Sequence, residues 1–93
     1  MATYLVVAVF KPDTVMDEVF AVVAEEQARV KALEAEGRMG AIRISMPRRT
    51  IFLEVFGDDE AAALATVRTL PMSKWWDVDV FPITPPVDPA AAS

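Results

Sequence analysis

The chain has 93 residues, of which 54% are hydrophobic, with a formal net charge of −5 and a mean hydropathy of +0.31. That length makes one domain, and the excess of acid disfavours nucleic-acid phosphates as partners. The absence of cysteine and histidine removes disulfides, thiol chemistry and the commonest metal ligand and general base.

So small a domain cannot bury this much apolar surface by itself, which points to self-association. The leading stretch MATYLVVAVFKPD is apolar for only about eight residues and has no basic start, so it is unlike a membrane span or a signal peptide. A soluble, cytoplasmic protein is the expectation.

Residues 3–11, TYLVVAVFK, are β-branched and aromatic on both faces, the pattern of a central strand covered on each side. Pro12 and Asp13 end it, and Asp13 or Thr14 is placed to cap a following helix. One long helix is expected over residues 14–36. Val15, Met16, Val19, Phe20, Val22, Val23, Val30 and Leu33 form its apolar band, Glu25 and Arg29 stand at ion-pair spacing, and Gly37 is the stop.

Two strands follow, over 38–46 and 49–57, joined closely enough around Pro47–Arg48 to pair antiparallel. Acids at 58–60 open a second helix running to Leu70, Pro71 ends it, and WWDVDV reads as the last strand. The Pro/Ala-rich tail over 84–93 is set apart from a domain spanning 1–83.

The order is β-α-β-β-α-β, an α+β, ferredoxin-like arrangement with two helices on one face of a four-stranded antiparallel sheet. Strand alternation then divides the side chains. Ile42, Ile44, Ile51, Leu53, Val55, Val78 and Val80 should lie under the helices. Arg43, Ser45, Phe52, Glu54, Phe56, Trp75, Asp77, Asp79 and Phe81 should occupy the bare face, a surface too apolar to be left to water.

The stretches AEEQARVKALEAEG (24–37) and LPMSKWWDVDV (70–80), with the strand pair and second helix between them, resemble the muconolactone isomerase family. The resemblance runs from the first strand to about residue 83. It implies a dimeric α+β barrel, two sheets packed bare face to bare face, with rings of dimers as a further step. It also implies proton transfer along an unsaturated lactone without metal or organic cofactor. The family's second strand contains Trp, Arg and His, and here Met39, Gly40 and Ala41 stand in that stretch. Muconolactone itself is therefore not the expected substrate.

Glu26 corresponds approximately to the acid of the family's long helix, and beside apolar walls it could shuttle a proton. Its plain alternative is a solvated helix face. Arg43 could steady a carboxylate or enolate oxygen, or simply pair with Glu54 or with an acid across a dimer. Asp77 and Asp79, side by side on one face, could act as a base and its partner. Otherwise they would pair with Arg43 or with a second copy's Arg48 and Arg49. Phe52, Glu54, Trp75 and Asp79 are the candidate substrate-binding residues, with Glu26, Arg43 and Asp77 as the catalytic ones. Arg48–Arg49 most simply decorates a hairpin turn.

The reading that follows is a cofactor-free isomerase, or a related tailoring enzyme, moving a proton next to a carbonyl in a small unsaturated or polyketide-like compound. The alternative is a non-catalytic ligand-binding or assembly module. Either way the expected partners are a second copy of the chain and a small organic molecule, with no nucleic acid and no membrane.

Overall fold

The computed structural model describes residues 1–85. Its elements are β1 (Ala2–Phe10), α1 (Met16–Phe20), α2 (Val23–Ala35), β2 (Met39–Ser45), β3 (Thr50–Gly57), α3 (Glu60–Arg68) and β4 (Trp76–Ile83), with a 3-10 turn at Pro71–Trp75. The four strands form one sheet in the order β2-β3-β1-β4, every neighbouring pair antiparallel. This is the ferredoxin-like α+β arrangement that the order of elements predicts. Among the described residues, no helix is long and apolar enough to cross a membrane.

Alternation along the central strands builds the core. Tyr4, Val6 and Ala8 of β1 and Ile51, Leu53 and Val55 of β3 are buried, and Leu33 from α2, Val67 from α3 and Trp76 from β4 close over them. Burying each such aliphatic side chain contributes about 1.5–3 kcal/mol. Val78 and Val80 pack partly buried against the same cluster. The division of β3 and β4 between two faces is as the alternation predicts.

The expected helix over 14–36 is instead two. Val22 leaves helical geometry at φ −109°, ψ 10°, so α1 ends at Phe20 and α2 begins at Val23. Val19, Val22 and Val23 are β-branched and lose rotamer freedom in a helix, which lowers the cost of breaking there. Neither expected cap is used. The residue preceding α1 is Val15, with no capping side chain, and Thr14 Oγ1 donates back to the Lys11 carbonyl at 2.7 Å.

The far end of α2 follows the sequence closely. Gly37 adopts φ +72°, its N–H reaches the Glu34 carbonyl at 3.0 Å, and Arg38 N–H reaches Leu33 at 2.9 Å. This is a Schellman closure that glycine permits. At α3, Asp59 accepts from the Ala62 N–H at 2.7 Å and caps the helix.

Two further details depart from simple alternation. The β2–β3 register shifts between Met39 and Ile42, so Gly40 and Ala41 form a bulge opposite Glu54. Trp75 does not belong to β4. It ends the 3-10 turn, whose carbonyl at Trp75 accepts from Lys11 N–H at 2.8 Å. Instead of standing on the bare face, Trp75 packs partly buried against the core, with Lys74 Nζ 4.5 Å from its ring centroid. Strand β4 ends at Ile83, and the tail expected over 84–93 lies from residue 86 onward outside the described residues.

Candidate active site

The helices do not cover the sheet evenly. Toward one edge of the sheet, over β2 and the near half of β3, the helix-side face opens into a cavity of about 600 Å³ between α2 and the sheet. Its sheet wall is Ile42, Ile44, Ile51 and Leu53, its helix wall carries Val23, Val30 and Glu26, and Met72 and Trp76 close one side. Ile44 has the inward parity of a core residue yet is 60% exposed, at the cavity wall.

Glu26 is placed by two elements. It lies in the first turn of α2 and faces the 3-10 turn, where its Oε1 accepts from the Met72 N–H at 2.9 Å. The Leu70–Pro71 step produces that free donor. Proline at the start of the turn is pre-set for its geometry, and the first N–H groups of a helical turn have no partner within it. Burial raises the Glu26 carboxyl above its ordinary pKa, and the Met72 hydrogen bond lowers it by less. The outcome is a carboxyl that holds its proton more readily than a solvated glutamate, at the wall of an apolar chamber. Gln27 and Lys31, one helical turn apart, bring an amide and an ammonium to the same cavity.

The other sequence candidates lie elsewhere. Arg43, Phe52 and Asp79 share a row across the bare face, with Val7 between Phe52 and Asp79. Arg43 and Asp79 are thus three strand spacings apart, roughly 14 Å, and do not pair within the chain. Arg43 Nη1 donates to the Ile42 carbonyl at 3.0 Å. Glu54 turns instead to the bulge, accepting from Ala41 N–H at 3.2 Å, so the expected Arg43–Glu54 bridge is not made.

Asp77 lies beside Val9 in the register, exposed on the same bare face. The Glu25–Arg29 pair is likewise replaced, since Arg29 Nε donates to Thr69 Oγ1 at 3.2 Å. Tyr4 is buried in the core. Of the named residues, only Glu26 lines the cavity; Arg43, Phe52, Glu54, Trp75, Asp77 and Asp79 do not. The roles of the Met72 N–H and of Lys31 escaped the sequence reading. Leu-Pro at a helix end was the signal for the first, and the spacing of four from Gln27 for the second.

Among the described residues, no three His, Cys, Asp or Glu side chains gather into a group that could hold a metal ion. Comparison with curated proteins gave no match. The family model for muconolactone delta-isomerase matches residues 3–88, nearly the whole chain. By fold and by sequence, this chain belongs to the muconolactone delta-isomerase family.

Proposed function

We propose that the chain is an isomerase-type enzyme that moves a proton next to a carbonyl without a cofactor, and that Glu26 carries the proton. The observation behind this reading is the half-buried Glu26 carboxyl, held by the Met72 N–H at 2.9 Å in the wall of an apolar cavity. Burial brings the carboxyl toward the range where it is both a competent base and a competent acid.

The carboxylate takes a proton from the carbon next to the substrate carbonyl. The C–H electron pair moves into the conjugated system, and charge collects on the carbonyl oxygen. Gln27 and Lys31 on the same wall supply the donors that steady it. Glu26 then returns the proton at the far end of the conjugated system, so the step is redox-neutral and consumes nothing. Arg43, Asp77 and Asp79 take no part in it.

The bare face supports a homodimer. Leu5, Val7, Val9, Phe52, Phe56 and Phe81 line it between the charged residues, and Phe81 is 50% exposed. Two such sheets stacked would cover that surface. The missing histidine favours a second reading, a module that binds a ligand in the same cavity without turning it over.

Solvent-deuterium exchange into unsaturated lactones and conjugated carbonyl compounds, followed by NMR, separates the two. The enzyme reading expects exchange that falls by about 10²–10⁴ in Glu26→Gln, with muconolactone a poor substrate. Ligand binding with no exchange above buffer, or exchange untouched by Glu26→Gln, overturns it in favour of the binding module.

A further inference from the structure

The cavity at Glu26 does not end at the sheet's edge strand. A second compartment of about 210 Å³ adjoins it toward the β2–β3 hairpin, sharing Val23, Ile44, Ile51 and Met72 with the first. Its walls are apolar (Phe10, Met16, Phe20 and Met46 among them), and Phe20 and Met46 remain 63% and 75% exposed. One charged residue lines this second compartment: Arg49.

Arg49 is held in an unusual way. It is the one non-glycine among the described residues with positive φ, at +48°, a conformation that costs on the order of 1–3 kcal/mol for a side-chain-bearing residue. Two backbone bonds fix it there: its N–H donates to Met46 at 3.1 Å, and its carbonyl accepts from Phe10 N–H at 3.1 Å. The turn therefore directs the side chain along the compartment. Its guanidinium finds no carboxylate, since the ion pair among the described residues is Arg38–Glu36. It reaches only the Met16 thioether, at 3.6 Å, a weak acceptor that a ligand oxygen displaces at little cost.

The geometry points to Arg49 as the anchor for the anionic end of an elongated substrate, an amphiphilic organic carboxylate whose apolar body crosses Ile44, Ile51 and Met72. Resting on the proposed role of Glu26, the other end of that molecule carries the reacting carbonyl into the larger compartment. From Leu53, in the first compartment, back to Thr50 is three strand residues, roughly 10 Å at the strand rise, and Arg49 extends the path by one turn residue and its side chain. That span is longer than a single small lactone ring. A guanidinium matches a carboxylate with two parallel hydrogen bonds, which an ammonium cannot reproduce. Apolar walls ending in one cation select an acid over its neutral analogue.

Decanoate and decanamide serve as probes of equal length, titrated into the unmodified protein and followed by proton–nitrogen NMR. Decanoate is expected to bind about tenfold tighter than decanamide, with shifts at Ile44, Ile51 and Arg49. The preference disappears in Arg49→Met, is reduced but present in Arg49→Lys, and persists in Arg48→Met. Equal affinity for the two probes in the unmodified protein overturns the proposal without any variant having to fold. So does a preference that survives Arg49→Met, or shifts confined to Phe52, Phe56 and Phe81. Glu26→Gln keeps the preference for the acid, so a failure of the proton-transfer reading leaves this measurement standing, and the reverse also holds.

Discussion

The two faces of the sheet are made from the same strands and differ in what covers them. On the helix side, β3 contributes Ile51, Leu53 and Val55, all buried, whereas Phe52, Glu54 and Phe56 between them are only half-buried. The covered face is apolar throughout and opens beside Ile44 into the cavity that holds the half-buried Glu26 carboxyl. The bare face mixes aromatics with Arg43, Asp77 and Asp79, and both aspartates are exposed. In this fold a gap under a helix is where a charge is dried out, and an open sheet is where charges stay hydrated until another surface arrives.

The largest expected effect tests that division directly. Leu53→Ala removes a fully buried side chain and should cost about 2–5 kcal/mol in denaturant unfolding, at any protein concentration. Phe52→Glu, one residue away on the other face, puts a carboxylate opposite Arg43, which the isolated chain tolerates as a cross-strand ion pair. Its effect should appear in sedimentation as weakened self-association, with unfolding of the monomer nearly unchanged. If Phe52→Glu were as destabilising as Leu53→Ala in dilute solution, the bare face would be part of the monomer's own core.

A smaller effect is expected at the bulge. Any Cβ on Gly40 would run into Glu54 Oε1 and lie 3.2 Å from the Phe56 ring. Gly40→Ala must push the flexible Glu54 side chain off the Ala41 N–H, so it should cost about 0.5–1.5 kcal/mol, the worth of one hydrogen bond. Adding Glu54→Ala should recover part of that loss in a double-mutant cycle. Strictly additive costs would mean that the glycine is needed only for backbone freedom. Because this contact lies on the bare face, neither change should alter ligand binding in the cavity.

Much of this was legible in the residues themselves. Alternation in β3 and β4, Gly37 after the long polar helix and the acids at 58–60 each specify a local outcome that no tertiary contact contradicts. The break at Ala21–Val22 was not legible, because no proline or glycine marks it. Trp75 was misplaced because a 3-10 turn, entered through Leu-Pro, consumes the residues that a strand pattern would claim. For the site, Glu26 was singled out by the resemblance of its helix to the family's acid-bearing one, and it lines the cavity. Its partner is a backbone N–H 46 residues away, which no side-chain pattern announces. Arg43 and Asp79 looked like partners in sequence, but strand order β2-β3-β1-β4 puts them on opposite edges.

The smallest effect concerns Glu26, whose carboxyl is desolvated on the covered face. Folding raises the Glu26 pKa above its ordinary 4.5, so the native state holds this proton more tightly than the unfolded chain does. Stability from this group is therefore fully present below pH 4.5 and declines as pH rises through the interval up to the raised native value. This is opposite in sign to the behaviour of a salt-bridged carboxylate. Glu26→Gln cannot ionise, yet it retains an oxygen for the Met72 N–H, so that component should vanish from the pH profile. At neutral pH the variant should be at least as stable as the unmodified protein while losing the proton transfer proposed for Glu26. Urea unfolding across the acidic to neutral range for both proteins reads the difference. Parallel profiles would mean that Glu26 is as well solvated in the fold as out of it, and the contrast between the two faces would then be one of packing alone.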